Sequence, residues 1–137
     1  MLVHIYSGLE SQNKITLGLL VALNAEKNDH KVTLFLAGDA VDILNCKKAG
    51  EIVGQGTGDL YEHLENLKNS KVTIYVSGKS AKSRGYDEKL LTGYKAEFAM
   101  PDVLIEESIK TDSFFAIKKE GPYLLKFRST GNKIFPF

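Results

Sequence analysis

The chain carries a group of hydroxyl and basic side chains directly after an apolar run. The run Val72–Val76 is rich in β-branched residues and predicts a strand. The loop after it supplies the hydroxyl groups, glycines and arginine of a candidate ligand site: Ser77, Gly78, Ser80, Arg84 and Gly85. Ligands gather beyond the carboxyl ends of strands in open α/β sheets, and hydroxyl donors beside an arginine favour an anion. The alternative is that Ser80 or Ser83 caps a helix and that Arg84 is solvated.

Two earlier strands are expected to bring further residues to the same crevice. Ser7 and Gly8 come after the apolar run Leu2–Tyr6, and Asp39 comes after the run Val32–Ala37. The carboxyl ends of neighbouring parallel strands meet at one edge of a sheet. We therefore expect these three residues beside the Ser77 loop, although the sequence favours Asp39 as the cap of the next helix.

Other nucleotide, metal and hydrolase chemistries fit the chain poorly. Gly78-Lys79-Ser80 lacks the earlier glycine of a phosphate-binding P-loop, since Thr73 stands at that position inside a strand. Gly54, Gly56 and Gly58 do not follow the first strand of a dinucleotide-binding unit, and they predict a flexible loop able to close over the site. The three histidines have no ligand spacing, and no nucleophile elbow is present. We expect no metal and no cofactor.

The composition describes one soluble domain without a strongly charged face. The chain has 137 residues, 43% of them hydrophobic, and a net charge of +1. This size supports a single core, and the near-zero charge gives no long-range attraction to nucleic acid or to an anionic membrane. The first residues lack a signal-peptide core and no run has membrane-spanning length, so we expect a cytoplasmic protein. Cys46 is the single cysteine, which excludes an internal disulfide.

Strand patterns alternate with helical patterns along the chain. Strands are predicted at Leu2–Tyr6, Val32–Ala37, Val72–Val76 and Phe114–Ile117. Helices are predicted at Lys14–Lys27, from Leu60 to Leu67 after a cap at Thr57 or Asp59, and from Pro101 to Lys110. Such alternation predicts a three-layer α/β/α fold with a mainly parallel sheet of about five strands.

The helix predicted at Lys14–Lys27 is apolar on more than one side. Its two stripes are Ile15, Leu19, Ala22 and Leu23, and Leu17, Leu20 and Val21. One stripe is enough to cover a sheet, so the second predicts an interface with another subunit. We expect a homo-oligomer.

Residues 118–137 are expected to extend the α/β domain of residues 1–117. Strand patterns at Tyr123–Ser129 and Ile134–Phe137, with the turn-prone pair Gly131-Asn132 between them, predict a β-hairpin. The segment holds five basic residues and one acidic residue, interleaved with aromatic residues. That mixture leaves RNA binding as an alternative to the favoured interpretation, a hairpin packed between subunits.

Several of these segments resemble the DsrE-like family of sulfur-relay proteins. The Ser77 loop is similar to the family's loop Cys-Gly-x-Cys-x-x-x-Arg-Gly, with Arg84-Gly85 as the sharpest match. The helix start Thr16-Leu17-Gly18-Leu19 and the segment Ala37-Gly38-Asp39-Ala40-Val41 are similar to two further family elements. The resemblance covers roughly residues 2 to 117. It implies assembly into rings, commonly trimers or hexamers.

The resemblance also identifies a change at the family's reactive positions. Ser77 and Ser80 stand where the family has cysteines, and a hydroxyl cannot carry a persulfide, which needs a thiolate. We therefore expect small-ligand (anion) binding or assembly without persulfide chemistry, and no catalytic residue in the loop. Two alternatives are a sulfur relay through Cys46, as a possible reactive thiol, and a role beside a cysteine-bearing paralogue.

Overall fold

The strands form one large sheet and one small hairpin. A computed structural model describes the backbone of residues 1–118, 121–128 and 131–136, and the side chains of residues 1–45 and 47–117. In chain order the strands are β1 (Leu2–Ile5), β2 (Thr33–Leu36), β3 (Val53–Gly54), β4 (Gly58–Asp59), β5 (Thr73–Ser77), β6 (Ala96–Ala99), β7 (Ser113–Lys118), β8 (Gly121–Arg128) and β9 (Gly131–Pro136).

The large sheet has the strand order β6-β5-β2-β1-β7-β8-β9. Its first five strands run parallel, whereas β8 and β9 are antiparallel additions beside β7. β3 and β4 form a separate antiparallel pair. The predicted α/β class with a mainly parallel sheet is confirmed, because parallel neighbours require the crossover helices that the sequence pattern indicates.

Five α-helices and two 3₁₀ helices connect the strands of the described chain. The α-helices are α1 (Gln12–Lys27), α2 (Cys46–Ala49), α3 (Leu60–Lys68), α4 (Gly78–Ser83) and α5 (Pro101–Lys110), and the 3₁₀ helices are Gly38–Leu44 and Glu88–Leu91. α3 begins as predicted, since the Asp59 carboxylate accepts hydrogen bonds from the amides of Tyr61 at 2.8 Å and Glu62 at 3.4 Å. α5 also begins as predicted, with Pro101 in its first turn. No helix in the described part of the chain is long and apolar enough to span a membrane.

The larger core lies on one face of the sheet, under α1 and α3. Ile15 and Leu19 of α1 are fully buried there, as is Leu60 of α3. They pack with alternate strand residues such as Ile5 and Leu36, which point to one side because side chains alternate along a strand. The apolar spacing of the two helices therefore produces the layer that holds the sheet from this side.

The opposite face of the sheet carries a smaller cluster covered by α5. Leu2, Phe35 and Ala99 are buried in this cluster, and Val103 and Leu104 of α5 pack against it. None of the ten residues of α5 is buried. The two faces of the sheet are thus covered unequally.

Three details differ from the sequence expectations. The pattern did not predict β6, whose residues Ala96–Ala99 include alanine and glutamate, which favour strands weakly. Gly131 and Asn132 lie within β9, so they are not the turn of the hairpin. The alternation of side chains expected along Tyr123–Arg128 lies outside the described side chains. The second stripe of α1, represented by Leu20, is half-buried, and the most exposed isoleucine of the described chain is Ile109 on α5.

Candidate crevice at the carboxyl edge of the sheet

The segment directly after β5 is helical, and Ser77 caps the N-terminus of this helix. α4 begins at Gly78, and the Ser77 hydroxyl accepts a hydrogen bond from the Ser80 amide at 3.3 Å. The alternative in which Ser80 or Ser83 caps this helix is wrong, because the helix starts directly after β5 and includes both residues. The Ser83 hydroxyl instead donates to the Ser80 carbonyl at 2.9 Å.

Ser80 ties this helix to the neighbouring strand. Its hydroxyl oxygen accepts a hydrogen bond from the Gly38 amide at 3.0 Å. Gly38 follows β2 and has a φ of +58°, a left-handed conformation that glycine adopts without strain. The Ser80 hydroxyl therefore satisfies a main-chain donor at the turn where β2 leaves the sheet.

Arg84 forms an ion pair across the same edge. Its Nη2 donates to Asp39 Oδ1 at 2.5 Å, and its Nη1 donates to the Ser80 carbonyl at 3.0 Å and to the Ser83 hydroxyl at 3.2 Å. The alternative of a solvated Arg84 is therefore wrong, because its guanidinium is paired with Asp39. Asp39 is not a helix cap either: the 3₁₀ helix after β2 has Ala37 at its cap position and no side-chain cap. The Asp39 carboxylate binds the guanidinium instead.

Gly8 brings the loop after β1 against Asp39. A Cβ atom placed on Gly8 would lie 2.6 Å from the Asp39 Cβ and 2.7 Å from Glu10 Oε2, so the loop fits only with glycine here. The neighbouring Ser7 is 4% exposed, and its Oγ has no hydrogen-bond partner among the described residues. A third strand end thus reaches the crevice.

Six of the eight candidate residues share this edge. Contacts among them join the ends of three strands: Ser7 and Gly8 after β1, Asp39 after β2, and Ser77, Ser80 and Arg84 at the end of β5 and along α4. Gly78 begins α4 at the end of β5 but faces β6, where an added Cβ would be 3.7 Å from the Phe98 Cβ. Gly85 ends the turn after α4 with a φ of +76° and open space around it.

The polar groups of the crevice are largely engaged with each other. The hydroxyls of Ser77 and Ser80 accept from main-chain amides, and the positive charge of Arg84 is opposed by Asp39. A carboxylate at this distance reduces the attraction that the guanidinium offers to an external anion. The crevice therefore has the groups expected from the sequence, but in an arrangement that stabilises the sheet edge.

A second polar cluster, around Tyr86, was missed from the sequence. The Tyr86 hydroxyl donates to Asp42 Oδ1 and accepts from Asn45 Nδ2 at 3.3 Å, and Lys48 Nζ donates to the same Asp42 oxygen at 3.1 Å. Partial burial raises the pKa of Asp42, but the hydrogen bonds from Tyr86 and Lys48 outweigh it and hold the pKa below its ordinary value. The only sequence signal was an aromatic residue directly after Arg84-Gly85.

The glycine-rich segment is a hairpin fastened to α1. β3 and β4 pair within it, the Gln55 amide donates to Asn13 Oδ1 at 2.7 Å, and the hydroxyls of Thr16 and Thr57 are 2.6 Å apart. A Cβ on Gly54 would overlap with both threonine hydroxyls. The expectation of a flexible loop over the site was therefore wrong, because this segment packs against α1.

Cys46 lies at the start of the short helix α2. At this helix start the Asn45 side chain accepts from the Lys47 amide at 3.1 Å. The Cys46 side chain lies outside the described part of the structure, so its reactivity stays a prediction. Among the described residues, no group of three or more His, Cys, Asp or Glu residues is placed to hold a metal ion.

Comparison with known protein families decides the classification. Residues 1–115 match the model of the DsrE/DsrF-like family. The chain belongs to the DsrE/DsrF-like family. No curated protein sequence matches it. Among solved structures, the crystal structure of the YchN protein from E. coli is similar, with a TM-score of 0.63 and 18% identity over 84% of this chain and 97% of that one.

The family assignment confirms the resemblance seen in the motif segments. The match spans β1 to the middle of β7 and includes the whole crevice. At 18% identity, the similarity to YchN shows a shared fold and carries no activity across. Residues 116–137, which contain β8 and β9, lie beyond the family match.

Proposed function

We propose that this DsrE/DsrF-like protein acts in the cytoplasm as a homo-oligomeric assembly subunit, without persulfide chemistry in its motif loop. The proposal has two parts. The motif loop stabilises the carboxyl edge of the sheet. The exposed side of α5, which carries Ile105 and Ile109 (the α5 face), binds further copies of the chain. Trimers or hexamers are the expected assemblies.

The chemistry of Ser77 and Ser80 supports the first part. A persulfide carrier needs a thiolate, and the hydroxyl of serine neither ionises near neutral pH nor forms a reversible bond to sulfane sulfur. Both hydroxyls already accept main-chain hydrogen bonds, and Arg84 is paired with Asp39. These contacts favour a structural role for the loop over binding of an external anion.

The exposure of α5 carries the second part. Ile105 and Ile109 are 56% and 78% exposed, and their i, i+4 spacing places them on one side of the helix. Met100, at the cap of the same helix, is 49% exposed, and Tyr6, on the same side of the sheet as His4, is 38% exposed. Four of the six large hydrophobic residues exposed in the described chain therefore lie on or beside the α5 face.

Such a surface is unusual on a chain that works alone. Single exposed hydrophobic residues are normal, but several on one face mark an interaction site. In α/β proteins both faces of a parallel sheet are normally covered. A second copy of the chain would cover the α5 face and bury Ile105 and Ile109.

Sedimentation velocity of matched variants tests this proposal. Ile105→Lys places a charge on the α5 face, and Val53→Lys places the same charge on β3 at an equally exposed position, since Val53 is 58% exposed. We expect the first variant to dissociate at least partly at about 10 µM, because a buried unpaired charge weakens an interface by several kcal/mol. The Val53 variant should sediment as the parent protein does.

Circular dichroism separates dissociation from misfolding. Both variants should keep the parent far-ultraviolet spectrum, because both positions are exposed. If Ile105→Lys sediments unchanged while the parent is oligomeric, the interface lies elsewhere. If the parent associates only when a cysteine-bearing paralogue is co-expressed, the proposed homo-oligomer is wrong and the protein forms a mixed assembly.

A further inference from the structure

A cavity beside the crevice is lined by lysines and tyrosines. It measures about 460 Å³ and lies between the turn after α4, the two 3₁₀ helices and the end of α3. We infer that this cavity, the lysine–tyrosine pocket, binds a small anion that carries a flat ring, of the type of a nucleoside monophosphate. Its lining residues are Asn45, Lys47, Lys68, Tyr86, Lys89 and Tyr94, together with Asp87 and apolar neighbours.

Lysines outnumber acidic residues in the lining of the pocket. Three lysines face one aspartate here, although the whole chain has a net charge of only +1. Lys68 is paired with Glu65 at 2.9 Å. Within the described residues Lys47 and Lys89 form no ion pair. Lys47 and Lys89 are therefore the cations available to an incoming anion.

Asp87 does not neutralise the lysines of the pocket. In this it differs from Asp39, which forms an ion pair with Arg84. Asp87 accepts a hydrogen bond from the Lys89 amide at 2.9 Å and so caps the 3₁₀ helix Glu88–Leu91. The structure places no lysine side chain within ion-pair distance of it among the described residues. The contrast with the crevice, where the single arginine is paired, assigns anion binding to the pocket.

Two tyrosines give the pocket its aromatic walls. Hydrogen bonds to Asp42 and from Asn45 fix the hydroxyl of Tyr86. A lysine lies over one face of each ring: Lys48 Nζ is 5.5 Å from the Tyr86 centroid, and Lys68 Nζ is 5.2 Å from the Tyr94 centroid. A stacked ligand would use the other face of a ring or displace the lysine. Aromatic rings held in place offer a stacking surface for a planar group, and lysines bind phosphate as mobile point charges.

The size of the cavity agrees with a small ligand. Sites for small molecules and cofactors typically occupy about 300 to 1,000 Å³ and combine apolar walls with a few polar groups. Leu44 and Leu90 supply the apolar part. A free inorganic anion would leave both leucines and the two rings without contact, which is why the inferred ligand includes a ring.

Calorimetry with adenosine monophosphate as the probe tests the inference. At low ionic strength we expect a Kd of about 0.1 to 1 mM, with adenosine and inorganic phosphate each at least about tenfold weaker. The double variant Lys47→Ala, Lys89→Ala should weaken binding by about tenfold or more. A matched double variant, Lys82→Ala, Lys110→Ala, removes two exposed lysines outside the pocket and should leave the Kd unchanged.

Each other outcome overturns the inference. Absence of heat at about 5 mM nucleotide means that the pocket binds no such anion. Equal losses in the two double variants mean that general charge, not the pocket, attracts the nucleotide. If phosphate binds as tightly as the nucleotide, the tyrosines contribute nothing to binding. The three proteins are the parent and two variants changed only at exposed lysines, so folding is not at issue, and the oligomeric state is measured separately.

Discussion

His4 gives the fold a pH dependence that can be calculated from its surroundings. It lies in β1 on the α5 side of the sheet, with the rings of Tyr6, Phe35 and Phe114 at centroid distances of 4.9, 5.6 and 6.3 Å. Its Nε2 is buried without a hydrogen-bond partner in the described chain. Burial among these rings disfavours the imidazolium and lowers the pKa of His4 from 6.5 to about 4.

The sign and size of the effect follow from this depressed pKa. Between about pH 6.5 and pH 4 the unfolded chain binds a proton at this residue that the folded chain excludes, so stability falls as the pH falls. From pH 7 to pH 5 the loss amounts to roughly 2 kcal/mol, and below pH 4 it reaches roughly 3 kcal/mol. Above pH 7 the imidazole is neutral in both states and the penalty disappears.

Urea unfolding at about pH 7 and about pH 5 measures this loss. His4→Phe removes the titrating group and keeps an aromatic ring, so the drop between the two pH values should shrink by about 2 kcal/mol. His30→Gln removes an exposed histidine and should leave the drop unchanged. Protein concentration is held constant, because association adds to apparent stability.

An equal drop in the parent and in His4→Phe would refute the reasoning. His4 would then be able to accept a proton in the folded state, which requires water or an acidic partner at the ring. A drop that shrinks in His30→Gln instead would place the titrating group on the surface.

Three further predictions concern the crevice, the hairpin and the thiol. In a double-mutant cycle, Arg84→Ala and Asp39→Ala should couple by about 0.5 to 1 kcal/mol, as for a partly exposed ion pair, and coupling near zero in urea unfolding would contradict a structural pair. Gly54→Ala should lower the free energy of unfolding by roughly 2 to 4 kcal/mol, because its Cβ separates two hydrogen-bonded threonine hydroxyls. Gly56→Ala should lower it by only about 1 kcal/mol, because Gly56 lies in open space and only its left-handed backbone is strained by the change. Cys46→Ser should cost at most about 1 to 2 kcal/mol and change no sulfur transfer, and an exchangeable persulfide on the parent thiol, detected by mass spectrometry, would contradict this.

The elements at the crevice could be predicted because their signals are local. The β-branched run before Ser77 and the apolar runs before Ser7 and Asp39 mark strands that end where polar residues begin. Pro101 marks the start of α5 in the same local way. Parallel strand order then brings the three ends together, and the structure places them at one edge as expected.

The pairing of residues across that edge could not be predicted. Arg84 and Asp39 are 45 positions apart, and nothing in either segment selects the other partner. Each had a plausible local role, as a solvated residue or a helix cap, and a tertiary contact replaced both. Ser80 changed its role for the same reason, since its partner is the amide of Gly38.

The most exposed apolar residues lie on a different helix from the one that the sequence indicates. The periodicity of α1 shows two stripes, and counting apolar residues predicts that the second is surplus. In the fold Leu20 and its neighbours are half-buried, and the surplus lies on α5. Periodicity describes one helix at a time, whereas coverage depends on how many helices lie on each face of the sheet.

The mass of the native protein in solution tests the central claim most directly. The chain has a mass of 15.2 kDa. Light scattering coupled to size exclusion at about 10 µM should give three or six times this value, since an interface that covers the α5 face would be of ordinary size for a specific complex. A single species at 15.2 kDa would contradict the proposed assembly and leave Ile105 and Ile109 exposed in the working protein.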